Sequence, residues 1–234
     1  MSAALDHNYE MLSIVAEGLG EALLKEVAFV GGSTTWLLCT DELVLDDIRS
    51  TDDVDLVIEL GGIADWQRLT ERLATKGFKI SAEHSDVTCR FRFNDVSVDV
   101  MPSVKEILGY ENRWFVDGLA NADVAILPNG LAIKVFKPTY FVATKLEAFK
   151  GRGNGYAYHK DVEDIILLVD GRESLLEEVS QAVEELRTYI SAGIADLLAL
   201  SSFEYVIESL HSVRANPGRG KLIYQRLKNL STFK

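Results

Sequence analysis

Two short stretches carry side chains whose types and spacing could do chemistry. Asp53-Val54-Asp55-Leu56-Val57-Ile58-Glu59-Leu60 alternates with period two, the pattern of a strand with one face on a core. Val54, Leu56, Ile58 and Leu60 then point inward, and Asp53, Asp55, Val57 and Glu59 point the other way. Carboxylates at i and i+2 share a face, with Cα atoms about 6.5–7 Å apart. Hard oxygens paired in this way bind Mg²⁺ together with substrate phosphates. Upstream, Ala28-Phe29-Val30 reads as the end of a buried strand broken by Gly31-Gly32, and Ser33–Leu38 as the first turns of a helix capped by Ser33. Glycine lets the backbone approach a ligand closely, and the free N–H groups of a helix start favour phosphate. Each stretch also has an ordinary reading, a tight turn and a solvated acidic face.

In tandem, glycine turn first and acidic strand second, the two resemble the signature of the polymerase-β-like nucleotidyltransferase superfamily. The resemblance implies that Gly31, Gly32 and Ser33 hold the triphosphate of an NTP. It implies too that Asp53 and Asp55 hold two metal ions, Mg²⁺ or Mn²⁺. One departure is the 19 residues between Ser33 and Asp53, a longer separation than the superfamily commonly shows. The insert Cys39–Asp52, acidic and polar at its ends, reads as a loop.

The same resemblance places a third carboxylate on a later strand. Residues 88–101 read as a hairpin with Asn94-Asp95 at its tip. A two-residue loop fixes the register, so that Phe93 faces Val96, Arg92 faces Ser97, Phe91 faces Val98 and Arg90 faces Asp99. Cys89, Phe91, Phe93, Val96, Val98 and Val100 share an apolar face; Arg90, Arg92, Ser97 and Asp99 share the polar one. Asp99 is thus the candidate third metal-side carboxylate and a candidate base for the acceptor proton. The alternative is a cross-strand ion pair with Arg90, worth little if exposed.

A second group follows in Lys145-Leu-Glu-Ala-Phe-Lys-Gly-Arg152 and His159-Lys-Asp161-Val-Glu-Asp164. Lys145 and Arg152 are seven apart, which puts both cations on one face of a continued helix. Asp161 begins the next helix as its cap, with Asp164 one turn on. Lys145 could neutralise a triphosphate; the plain alternative is a solvated helix face and a capping aspartate. Thr144-Lys-Leu-Glu-Ala-Phe, the following Arg-Gly and Lys-Asp-Val-Glu-Asp-Ile resemble the AbiEii/MenT-like nucleotidyltransferases, several of which are toxins of toxin–antitoxin systems. The likeness runs over about residues 28–170. It implies that Lys145 contacts the triphosphate, that Arg152 and Asp161 belong to the nucleotide-binding rim, and that a serine is expected where His159 stands.

The remaining sequence bounds these readings. With 234 residues, 47% hydrophobic and only four prolines, the chain is globular and can bury a real core. No signal peptide and no apolar run near 18 residues is visible, which predicts a soluble cytoplasmic protein without a membrane partner. Cys39 and Cys89 sit among apolar neighbours and read as buried free thiols. The net charge of −12 argues against a generic nucleic-acid binder. Its distribution is uneven: after Glu208 there is no acid, whereas Arg214, Arg219, Lys221, Arg226, Lys228 and Lys234 leave −18 on the rest.

Periodicity predicts helices over 6–25 and 65–76 (stopped by Gly77), a strand over 78–82, mixed residues 104–121 with Tyr110, Trp114 and Phe115 clustered, and a hairpin of 122–127 with 131–136. It then predicts helices over 139–150 (opened by Pro138 and stopped by Gly151), 161–169, 173–190, 194–213 and 220–230. The expected architecture is α/β: a mixed, twisted sheet of nucleotidyltransferase type in residues 1–137, then a helical C-terminal domain in 138–234. The expected chemistry is metal-dependent transfer of a nucleoside monophosphate from an NTP to an acceptor hydroxyl, releasing pyrophosphate. Three function classes follow. One is an RNA-directed enzyme, such as a toxin modifying the 3′ end of tRNA gripped by the basic C-terminal segment and neutralised by a cognate antitoxin. Another is a small-molecule or protein nucleotidyltransferase of the antibiotic-inactivating type. The third is a non-catalytic nucleotide-binding module, against which the presence of all three carboxylates counts.

Overall fold

The computed structural model describes residues 2–81, 89–109, 111–153, 155–216 and 218–233. Ala82, Thr88, Tyr110 and Lys234, named in the strand, hairpin, aromatic and basic-segment expectations, lie outside them. The chain divides into two compact units: Ala3–Thr34 with Ser50–Phe136, and Thr35–Arg49 with Lys137 onward.

The first unit is a mixed sheet with helices. Helix α1 (Ala3–Leu24) buries Leu5, Met11, Leu12, Val15, Leu19 and Leu23 on one stripe, the spacing of a helix face packed on a core. Strand β1 (Val27–Val30) is buried throughout and ends in a 3-10 turn over Gly32–Thr34. Ser33 therefore lies inside that turn rather than capping a helix. The next segment, α2 (Thr35–Leu38) and a 3-10 helix over Glu42–Asp47, belongs to the second unit. The first unit resumes with β2 (Asp53–Ile58), α3 (Ile63–Thr75), β3 (Lys79–Ile80), β4 (Arg90–Phe93), β5 (Val96–Pro102), α4 (Lys105–Leu108), α5 (Phe115–Ala120), β6 (Asp123–Ile126) and β7 (Ala132–Val135). Among the described residues the sheet order is β3-β4-β5-β2-β1-β7-β6. Strands β2 and β5 run parallel, as do β1 and β7, and the other neighbours are antiparallel.

The β4–β5 hairpin has the expected register, Arg90 opposite Asp99 through Phe93 opposite Val96. Asn94 at its tip takes φ 52°, a left-handed conformation that asparagine tolerates better than most residues. Phe91, Val96, Val98 and Val100 are buried, as the alternation requires.

The second unit is helical. Its helices are α6 (Pro138–Arg152), α7 (Lys160–Gly171), α8 (Leu175–Gln181), α9 (Glu184–Leu198), α10 (Phe203–Ser209), α11 (His211–Ala215) and α12 (Arg219–Leu230). Residues Pro138 to Leu146 of α6 and Asp164 to Gly171 of α7 are buried on every side, which makes these two the unit's central helices. Several expectations need correction. The insert is not simply loop: Asp41 accepts from the Leu43 amide at 3.0 Å and caps the 3-10 helix, which buries Val44. Helix α6 runs past Gly151 to a cap at Gly153. The two long C-terminal helices are four shorter ones, broken at extended Ala182-Val183, at left-handed Ser202 and at extended Leu210. None of these breaks falls on Gly or Pro, so periodicity alone runs through them. Cys39 and Cys89 are free thiols as expected, but only Cys89 is fully buried; Cys39 is half-buried, and its desolvation pushes the thiol up to about 12. Among the described residues no single helix is long and apolar enough to cross a membrane.

Candidate active site

The sheet brings the three acidic side chains together. Asp53 and Asp55 project from the same face of β2, and parallel pairing sets Asp55 directly beside Asp99 of β5. One carboxylate oxygen from each of Asp53, Asp55 and Asp99 lies within 4.8 Å of the other two. All three residues are half-buried, open enough to meet a ligand and shielded enough to feel each other's charge. Oxygen-only donors at this spacing fit a hard divalent cation such as Mg²⁺ or Mn²⁺.

The glycine turn is built into the same corner. Pairing of β1 with β2 places Val30 opposite Asp55, so Gly31 leaves the sheet beside that carboxylate. Gly31 has φ +78°, and a Cβ there would fall 1.9 Å from Asp55 Oδ2. Backbone conformation and space both therefore oppose a side chain at this position, which could enter only by displacing Asp55. Gly32 is buried in the following turn, as is Ser33, whose hydroxyl makes no hydrogen bond among the described residues. A buried hydroxyl without a partner is costly unless a ligand completes it.

Arg90 contacts two of the three carboxylates. Its Nε donates to Asp99 Oδ1 at 2.7 Å and its Nη2 to Asp99 Oδ2 at 2.6 Å, with a further bond from Nη2 to Asp53 Oδ2 at 3.0 Å. The Asp99 hydrogen bonds, opposed by burial, push the guanidinium further above its ordinary range. The ion pair and the metal-type cluster were alternatives in the sequence; the fold contains both at once.

Two residues that sequence reasoning passed over hold the start of β2. Asn8 is fully buried on the apolar stripe of α1, and its Oδ1 accepts from the Thr51 amide at 3.0 Å. His7 Nε2 lies 3.0 Å from the Thr51 carbonyl oxygen, and the Thr51 hydroxyl donates to the Asp53 carbonyl at 3.2 Å. The available signal was a lone asparagine at helical spacing between Leu5 and Leu12.

In the second unit, the other candidates form an ionic cluster around two buried aspartates. Lys145 Nζ donates to Asp164 Oδ2 at 2.6 Å and to Asp161 Oδ1 at 3.4 Å. Arg152 forks onto Asp161 at 2.9 and 3.0 Å, and Arg49 reaches Asp164 at 3.2 Å. Both aspartates are almost wholly buried. Burial pushes the Asp161 carboxyl up, but the Arg152 hydrogen bonds and the charges of Lys145 and Arg152 outweigh it and hold it below its usual range. Asp161 does not cap α7, however. His159 does, its Nδ1 accepting from the Asp161 amide at 3.2 Å. A serine at that position would perform the same capping task. Arg49 was missed because it belongs to the insert read as loop.

The C-terminal cations divide into two groups. Arg219 donates to buried Asp170 at 2.8 Å and to Asp41 at 2.7 Å, and Arg226 donates to the Val169 and Asp170 carbonyls at 3.1 and 2.6 Å. Lys221 and Lys228 are exposed.

No family model matches the chain, and no curated protein matches it. Among solved structures it is similar to an antigenic nucleotidyltransferase-like protein from Paracoccidioides brasiliensis. The TM-score is 0.53 at 20% identity, over 94% of this chain and 93% of that one. It also aligns with the antibiotic-resistance factor ANT(2'')-Ia, with a TM-score of 0.44 and 16% identity over 82% of this chain and 93% of that one. The first likeness and the sheet order give the chain a mixed α/β fold of nucleotidyltransferase type. On that fold it carries an acidic triad whose geometry suits a divalent metal.

Proposed function

We propose that the protein is a metal-dependent nucleotidyltransferase, moving a nucleoside monophosphate from an NTP to an acceptor hydroxyl with release of pyrophosphate. The observation that carries this reading is the convergence of Asp53, Asp55 and Asp99 within 4.8 Å beside a glycine turn with no room for a Cβ. The three aspartates would hold the ions. When bound, such ions neutralise charge on the transferring phosphoryl group and its leaving pyrophosphate and lower the pKa of the attacking hydroxyl. The chain's own contribution is positional. Gly31 and Gly32 give the triphosphate access to backbone N–H groups, and the Ser33 hydroxyl supplies a donor. Lys145, Arg152 and Asp161, which share one ionic cluster, are assigned to nucleotide binding on the AbiEii/MenT resemblance alone.

Separate observations favour two acceptor classes. Exposed Lys221 and Lys228, on a segment without acids, favour the 3′ end of an RNA such as tRNA, as a toxin restrained by an antitoxin would require. The −18 on the rest of the chain repels polyanions and favours a cationic small molecule. Incubating the purified protein with each labelled NTP and Mg²⁺, with total tRNA or with a panel of cationic antibiotics, separates the two. Asp53→Asn should lower transfer roughly 100-fold or more while the circular dichroism spectrum stays unchanged. Full activity of that variant would remove the triad from the reaction.

A further inference from the structure

Arg90 sits where an ion would have to act. Its guanidinium engages both oxygens of Asp99 and Oδ2 of Asp53, two of the three residues that offer metal ligands. The fork is imposed by the hairpin, which sets Arg90 directly opposite Asp99. Each of these side chains keeps about a quarter or less of its surface exposed, 24% for Arg90, 26% for Asp53 and 15% for Asp99. The contact is therefore only partly screened by solvent. Three carboxylates this close repel one another, and without a cation between them they would spread apart. A planar, permanently charged fork is suited to prevent this.

We infer that Arg90 is a displaceable counter-ion of the triad. It holds Asp53 and Asp99 in place before an ion arrives and then competes with that ion for the same oxygens. The inference rests on the metal reading above. It has a consequence that a merely structural ion pair lacks: removing Arg90 strengthens cation binding while it weakens the metal-free protein. A unit positive charge facing a divalent ion across about 6 Å changes affinity about tenfold even at the full dielectric of water.

The test is calorimetric titration of the intact protein with Mn²⁺ alone, without nucleotide, for wild type, Arg90→Gln and Arg90→Lys. Arg90→Gln should bind Mn²⁺ about tenfold more tightly, and Arg90→Lys, which keeps the charge but loses the fork, should fall between the two. In EDTA the urea midpoint of Arg90→Gln should lie below that of wild type, and saturating Mn²⁺ should close or reverse the gap. Equal or weaker Mn²⁺ binding by Arg90→Gln, in a protein whose wild type binds the ion, overturns the inference and leaves the metal reading standing. Absence of Mn²⁺ binding in all three proteins, or binding that survives Asp53→Asn, overturns both. Should Arg90→Gln fail to fold, Arg90→Lys decides alone: affinity no higher than wild type sinks the proposal.

Discussion

At the scale of single residues, the site depends on one absent side chain as much as on three carboxylates. Gly31 combines a left-handed backbone with the closest approach to Asp55. Gly31→Ala would therefore strain the backbone by about 1–2 kcal/mol and drive Asp55 away from Asp53 and Asp99. The expected outcome is a folded, mildly destabilised protein whose transfer activity and Mn²⁺ binding both fall at least about tenfold. Retained Mn²⁺ affinity would show that the turn and the triad are independent. This dependence was only half legible in the sequence. Gly31-Gly32 announced a turn and Asp53-Val54-Asp55 announced a face, because both are local patterns. That the two meet follows from β1 pairing with β2, and pairing partners far apart in sequence leave no local trace.

At the scale of elements, the β4–β5 hairpin was the most legible piece, since its loop length and alternation fix every pairing. The helical breaks were the least legible, because Ala182, Ser202 and Leu210 are not the Gly or Pro residues that mark a break locally. Helix α7 shows how a local rule can point to the wrong side chain. An aspartate near a helix start is the expected cap, yet Asp161 turns inward to Arg152 and Lys145 and leaves the capping to His159. Burial, aided by the charges of Arg152, Lys160 and Lys145 and opposed by Asp161, lowers the His159 pKa. Its unfolded form titrates near the ordinary value of about 6.5. Between that value and the lower folded one, the unfolded chain binds the extra proton, so stability is intact above about pH 6.5 and declines as pH falls. Protonation also removes the acceptor that caps the helix. His159→Ser, which keeps a cap and loses the titration, should have a urea midpoint that falls less than wild type between pH 8 and pH 5.5. Identical declines in the two proteins would exclude His159 as the titrating group.

At the scale of the whole molecule, the charge asymmetry visible in the sequence is partly spent inside the fold. Arg219 and Arg226 fasten α12 to the end of α7, so only the exposed lysines of that helix remain for an outside partner. Lys221→Gln with Lys228→Gln should reduce transfer to RNA and lower the slope of log K against log salt by roughly 0.7 per lost contact. Transfer to a small acceptor should not change. Unaltered RNA transfer would leave the small-molecule acceptor as the better reading. The bond between Arg219 and Asp41 has another meaning, because it spans 178 residues of chain. A ribosome adding 5–20 residues per second needs roughly 10–35 s to cross that interval. Residues 35–49 thus emerge early, whereas their partner on α12 is among the last to be made. Gly31, Asp53, Asp55 and Asp99, by contrast, are all synthesised before the first residue of α6.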